Sequence, residues 1–141
     1  MWICLGVEYV GLAYDLAWHG FLNPGFGAPT MDEMVKHLST VHLPLYLGVA
    51  GMLVSSTWAL VDHLRRSERG LAILVAFVGS LIQTAGETWH AYSHLQLITH
   101  MGPIALSVSF IVMVIVAAAL VAGRRADRPR AAEVGERRRA A

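Results

Sequence analysis

Acidic and imidazole side chains occur at metal-ligand spacing in two segments of this chain. Asp15 and His19 lie four residues apart, and Glu87, His90 and His94 lie at positions i, i+3 and i+7. Either spacing places the side chains along one face of an α-helix. Imidazole and carboxylate ligands without cysteine suit copper(II), zinc or non-haem iron. The two segments therefore predict metal binding.

Further histidines lie where apolar segments begin. His37 and His42 precede one such segment, and His100 precedes another. The capping-box pattern of residues 30–33 starts a helix that would carry both His37 and His42. These two lie about 140° apart around such a helix, so we prefer one of them, His42, which is nearer the membrane. The predicted ligands are Asp15, His19, His42, Glu87, His90, His94 and His100. The predicted supporting or proton-relay groups are Glu8, Gln83 and His37.

The apolar composition predicts the elements that position these residues. Of the 141 residues, 55% are hydrophobic, which is typical of an integral membrane protein. Four apolar segments approach the ~20 residues that a helix needs to cross a bilayer. They are 2–22, 41–61, 70–92 and 102–122. We therefore predict an all-α fold, an integral membrane four-helix bundle over residues 1–123. A basic tail, 124–141, follows and is expected to be disordered.

The strong bases predict the orientation of the bundle. Apart from Lys36, they lie in the segments 65–69 and 124–139. Four spans place both segments on one side, and the positive-inside bias makes that side cytoplasmic. We expect a multi-pass protein of the cell inner membrane with both termini cytoplasmic and the metal ligands near the outer face. The expected partners are the lipid bilayer and either other membrane subunits or a second copy of the chain, with no nucleic acid.

The two halves of the chain also show a weak internal repeat. Residues 15–19 read Asp-Leu-Ala-Trp-His and residues 87–90 read Glu-Thr-Trp-His, so each joins a carboxylate to a Trp-His pair. His42 and His100 then begin the helices that return through the membrane. The pattern predicts two related hairpins.

A longer motif spans both helices of the first hairpin. The Asp-Leu-Ala-Trp-His run is followed by a loop with Pro and Phe and by Thr-Val-His-Leu-Pro-Leu-Tyr at 40–46. Over about residues 14–46 the chain resembles the copper-site segment of the C subunit of particulate methane and ammonia monooxygenases. The resemblance implies copper bound within the membrane by Asp15, His19 and His42. It also implies a monooxygenase-like oxidoreductase that acts on a small apolar substrate.

Copper is the leading prediction for the bound metal, with zinc, non-haem iron and haem b as alternatives. Two other classes of function remain open. One is a haem-binding electron carrier with a bis-histidine pair, such as His19 with His90, which a Soret band would identify. The other is a copper delivery or assembly protein, which rapid metal exchange with a partner would identify. Oxygen-dependent turnover would instead identify an enzyme.

Overall fold

The fold is known from a computed structural model, which describes residues 1–27, 30–65, 70–97 and 108–124. The helices are α1 (Trp2–Ala17), its π-helical continuation (Trp18–Leu22), α2 (Met31–Thr40), α3 (Leu43–Arg65), α4 (Leu71–Leu95) and α5 (Val108–Arg124). Within the described ranges no residue forms a strand, which confirms the all-α prediction. Most of the predicted tail lies outside the described residues.

Two of the helices are long and apolar enough to cross a membrane. They are α3, with 23 residues, and α4, with 25 residues. A bilayer core requires about 20 residues in a helix. Helix α1 has 16 residues before its π-helical continuation begins, and it carries two buried carboxyl groups.

Two carboxyl groups are buried between the helices, and several large apolar side chains are exposed on the surface. Glu8 and Asp15 are completely buried between the helices. In contrast, Ile3, Val54 and Trp58 are 83%, 70% and 77% exposed on the outer surface. Water favours apolar residues inside and ionisable residues outside. Both features also occur in helices that cross a membrane.

Glycines allow α1 and α3 to pack with their backbones in contact. A Cβ atom at Gly11 would overlap the backbone of Leu45, and one at Gly48 would overlap the backbone of Glu8. Small residues at such positions are typical of helix contacts in membranes. The close approach continues toward the C-terminal end of α1 and the N-terminal end of α3, where it brings Asp15 beside the start of α3.

Helix α5 packs between α1 and α4. A Cβ atom at Gly79 of α4 would contact Val116 of α5, and the Arg124 guanidinium lies 4.7 Å from the centre of the Trp2 ring. The start of α1 and the end of α5 therefore lie at the same end of the molecule. The apolar core between these helices and α3 consists of Leu5, Leu12, Leu45, Val49, Met52, Ala76, Met113, Val116 and Leu120.

Helix α2 begins as the capping-box pattern predicts. Its first residue is Met31, and the backbone N–H of Glu33 donates a hydrogen bond of 3.3 Å to the Thr30 hydroxyl. The Thr30 hydroxyl in turn donates to the Glu33 carboxylate over 2.8 Å. The first of these bonds satisfies a backbone N–H that the helix N-terminus leaves without an intrahelical partner.

The prediction that His37 and His42 share one continuous helix is wrong. Helix α2 ends at Thr40, and α3 begins at Leu43. Pro44 accounts for the break because it has no backbone N–H to donate to the carbonyl of Thr40, where α2 ends. The two histidines lie on either side of this break, so the 140° separation calculated for one helix does not apply.

Candidate metal centre

Five histidine rings from four helical elements form one cluster, and His42 lies at its centre. The centroid of the His42 ring is 4.7 Å from that of His37, 5.0 Å from His90, 5.2 Å from His94 and 5.8 Å from His19. The rings come from the π-helical turn, α2, the residue immediately before α3 and the end of α4. Residues that are far apart in the sequence thus meet at one end of the molecule.

Three of these histidines form a group that we call the outer triad. It consists of His19, His37 and His42, and each offers a ligand atom within 4.8 Å of the other two. Metal–nitrogen bonds of about 2.0–2.1 Å place the ligands of one ion about 3–4 Å apart, so modest side-chain movement would complete a site. The His19 side chain is 34% exposed, and His42 is buried. The outer triad therefore reaches the surface through His19.

A second group, which we call the inner triad, is fully buried. It consists of His42, His90 and His94, again with ligand atoms within 4.8 Å of one another. The Nε2 atoms of His90 and His94 lie 2.9 Å apart. Two imidazole nitrogens at this distance share a proton in the absence of a metal, and their spacing also suits two ligands of one ion. His42 belongs to both triads.

The two predicted carboxylate ligands lie behind the histidine rings. Asp15 Oδ1 is 2.9 Å from His42 Nδ1 and 3.5 Å from His19 Nε2. Glu87 Oε2 is 3.1 Å from His90 Nδ1. A carboxylate against one ring nitrogen orients the imidazole and leaves the other nitrogen for a metal. In this arrangement Asp15 and Glu87 support the ligands His42 and His90.

Several buried polar atoms of the cluster have no hydrogen-bond partner among the described residues. They include both carboxylate oxygens of Asp15, both ring nitrogens of His37 and of His42, and Nδ1 of His94. The 2.9 Å approach of Asp15 to His42 thus lacks the direction of a hydrogen bond. An unpaired buried polar group costs about 1–3 kcal/mol. A bound cation would compensate this cost by accepting nitrogen ligands and neutralising the carboxylates, so the residues fit a metal ion.

His37 lies under two aromatic rings that the metal prediction did not include. Its ring centroid is 4.4 Å from Trp18 and 4.5 Å from Phe26. Burial lowers the pKa of His37 to about 4, and the neighbouring His42 and His19 act in the same direction. The imidazole is therefore neutral at physiological pH, which is the form that binds metals. Sequence reasoning treats His37 as a supporting group, whereas the structure places it within the outer triad.

The π-helical turn that contains His19 has no signal in the sequence. The backbone N–H of Asn23 donates to the carbonyl of Trp18 over 2.7 Å, which is the i→i+5 bond of a π-helix. Such wider turns within α-helices occur frequently at functional sites. Here the turn begins three residues after Asp15, and His19 within it lies 3.5 Å from the Asp15 carboxylate.

A hydrogen-bond network connects the cluster to the middle of the molecule. The Gln83 side-chain amide donates to the Glu8 carboxylate and, over 3.2 Å, to the carbonyl of Ser109. The Ser109 hydroxyl donates to Glu87, which contacts His90. Glu8 and Gln83 are thus connected to His90 through Ser109 and Glu87, and their supporting or proton-relay role stays a prediction. Ser109 has no distinctive sequence signal, because its part in the network depends on how α5 packs.

His100 lies outside the described residues. The other six predicted ligands lie within the described residues; they are Asp15, His19, His42, Glu87, His90 and His94. The internal repeat also stays a prediction, because its second hairpin includes His100.

Comparisons of the chain with protein-family models, curated proteins and solved structures give no match. The resemblance to the monooxygenase C subunit thus stays a prediction. The case for a metal centre rests on the positions of this chain's own histidines and carboxylates.

Proposed function

We propose that this chain is a four-span protein of the cell inner membrane that binds copper in the histidine cluster. The observation that carries the proposal is the convergence of five histidines on His42, with unpaired ring nitrogens at its centre. Histidines that served only to join helices would use their nitrogens in hydrogen bonds. The nitrogens of His37 and His42 lack such bonds among the described residues.

The ligand types favour copper and, after it, zinc. Both triads offer imidazole nitrogen, and the only cysteine, Cys4, lies elsewhere, beside Gly51. Copper(II) has the highest affinity for nitrogen sites among the divalent first-row metals. Zinc also accepts three histidines and leaves one coordination position open.

The ring contacts disfavour haem. A bis-histidine haem requires its two imidazoles on opposite faces of a flat macrocycle. The centroids of His42 and His90 are only 5.0 Å apart, and those of His90 and His94 are 4.6 Å apart. These rings contact each other directly and leave no flat slot between them.

The positions of the charges support a membrane orientation with the cluster near the outer face. Arg65 ends α3, and Arg124 ends α5 next to Trp2. The histidine cluster lies at the opposite end, where His42 precedes α3 and Ser109 of α5 contacts Glu87. Basic residues favour the cytoplasmic side, so the cluster is assigned to the opposite side, where copper and zinc from outside the cell would reach it. The buried carboxyl groups of α1 and the large apolar side chains exposed on the surface support passage of α1 and α5 through the bilayer together with α3 and α4.

A groove next to the cluster favours oxidation of an apolar substrate as a second candidate function. It lies between α3 and α4, measures about 280 Å³, and includes Tyr46 and Glu87 in its lining. The Tyr46 ring stacks on His42 with centroids 5.7 Å apart, and Glu87 contacts His90. A small apolar molecule could reach this groove from lipid. Dioxygen consumption by the copper-loaded protein would distinguish this function from simple copper binding.

Elemental analysis of detergent-purified protein, together with its optical spectrum, tests the proposal. We expect stoichiometric copper without a Soret band in the wild type, and loss of copper in a His19→Ala/His90→Ala double variant. His63→Ala is the matched control, because His63 lies near the opposite end of α3. An absence of metal from freshly purified and copper-treated wild-type protein would contradict the proposal.

A further inference from the structure

We infer that the outer and inner triads are successive binding sites for one metal ion, which passes from the first to the second while His42 remains bound. This inference rests on the proposed function, because it assumes that the cluster binds a metal. It adds a direction of loading and a stoichiometry that metal binding alone does not require.

His42 is the reason that the two triads do not act as independent sites. It is the one histidine that belongs to both triads. Its Nδ1 atom lies 2.9 Å from Asp15 Oδ1 without the direction of a hydrogen bond, so this contact does not fix which nitrogen binds the ion. A neutral imidazole has a lone pair on only one of its two ring nitrogens, and one lone pair binds one ion. Occupation of either triad thus excludes occupation of the other, and each chain holds one ion.

The difference in exposure gives the direction of loading. The His19 side chain is 34% exposed, whereas His90 and His94 are 2% and 3% exposed. The rings of Trp18 and Phe26 pack on His37, so this side of the outer triad is covered. An ion from solution would meet His19 first. The inner triad is reached through the shared ligand, His42.

The transfer is an exchange of ligands around a bound ion. His42 stays bound, His19 and His37 leave, and His90 and His94 take their places. The number of imidazole ligands stays at three, so the ion is not released into the apolar interior, where an unpaired charge is costly. No electron transfer is involved.

A proton on His94 must change position during this exchange. With Glu87 accepting from His90 Nδ1, the proton between the two Nε2 atoms belongs to His94. His94 Nδ1 is buried without a hydrogen-bond partner among the described residues and is therefore free to carry this proton. The shift to that tautomer conserves the proton and leaves both Nε2 atoms available to the ion.

The glutamate behind His90 favours the inner triad as the final site. An ion there has Asp15 behind His42 and Glu87 behind His90. In the outer triad, Asp15 is the carboxylate within contact distance, at 2.9 Å from His42 and 3.5 Å from His19. Carboxylates behind histidine ligands raise metal affinity. The inner site should accordingly bind the ion more tightly and release it more slowly.

Cobalt(II) loading of the metal-stripped, full-length protein tests this sequence of events. Stopped-flow absorbance would follow uptake, elemental analysis would count bound ions, and a chelator jump would measure release. We expect one ion per chain in the wild type and in the control His63→Ala. The His19→Ala variant should load about tenfold more slowly and, because an ion leaving the inner triad passes back through the outer one, also release about tenfold more slowly. The His94→Ala variant should load at the wild-type rate and release at least about tenfold faster.

The same measurements on His19→Gln and His94→Gln repeat the test with polar replacements. Circular dichroism checks that each variant keeps its helices, so that a slow or weak site is not caused by unfolding. Two ions per wild-type chain would overturn the inference, as would a His19→Ala variant that loads as fast as the wild type. Equal release rates in His94→Ala and the wild type would also overturn it. Each of these results leaves the proposed metal binding intact, whereas absence of any bound ion in the wild type would refute the proposed function itself.

Discussion

His42 Nδ1 and Asp15 Oδ1 lie 2.9 Å apart, and both side chains are completely buried. The contact joins α1 to the start of α3 at the point where the two histidine triads meet. Removal of the Asp15 charge, by Asp15→Asn, should therefore weaken metal binding without removing a ligand. We expect a loss of affinity of about 10–100-fold, measured by competition with a chelator of known affinity. A variant with unchanged affinity would show that Asp15 does not support the bound metal.

Glu87 should have a similar role for His90. The Glu87→Gln substitution replaces the acceptor that contacts His90 Nδ1 at 3.1 Å and should lower affinity by about tenfold or more. The Ser109→Ala variant provides a graded comparison because the Ser109 hydroxyl donates to Glu87, which in turn contacts His90. We expect its effect on affinity to be smaller than that of Glu87→Gln. The reverse order would contradict this role of Glu87.

The close packing of α1 on α3 should depend on Gly48. A Gly48→Ala substitution places a methyl group against the backbone of Glu8, which cannot move aside as a flexible side chain would. We expect destabilisation of about 1–3 kcal/mol, measured by thermal or denaturant unfolding in detergent. Gly6→Ala is the matched control on the facing helix, because a Cβ atom there has no atom within 4 Å. Equal loss of stability in both variants would argue against the α1–α3 contact.

The proposed orientation predicts opposite accessibility for two exposed basic residues. Lys36 lies on α2 near the histidine cluster, and Arg65 ends α3 at the other end of the molecule. In a Cys4→Ser background, Lys36→Cys should react with a membrane-impermeant thiol reagent from the outside of intact cells. Arg65→Cys should react only in inverted vesicles. Labelling of both positions from the same side would contradict the proposed orientation.

The sequence predicted much of the arrangement because two strong physical signals coincide. Apolar segments indicate where helices lie, and spacing on a helix places Asp15 near His19 and Glu87 near His90. The structure has these pairs at 3.5 Å and 3.1 Å. These contacts are local, so they depend little on how the helices pack.

The parts that sequence reasoning missed depend on tertiary structure or on a local break. Pro44 separates α2 from α3. His37 and His42 lie on the two sides of this break, and both belong to the outer triad. Ser109 reaches Glu87 only because α5 packs against α4. The shared position of His42 likewise requires the relative placement of several helices. Neither hydropathy nor periodicity reports such long-range contacts.

X-ray absorption at the metal edge of the copper-loaded, purified protein tests the central claim most directly, because it reads the ligands of the bound ion. The proposed site predicts about three imidazole nitrogens at about 2.0 Å and no sulfur ligand. In the His42→Ala variant this imidazole signal should be lost, whereas His63→Ala should retain it. An ion bound without imidazole, or an identical spectrum in His42→Ala, would contradict a metal centre built around His42.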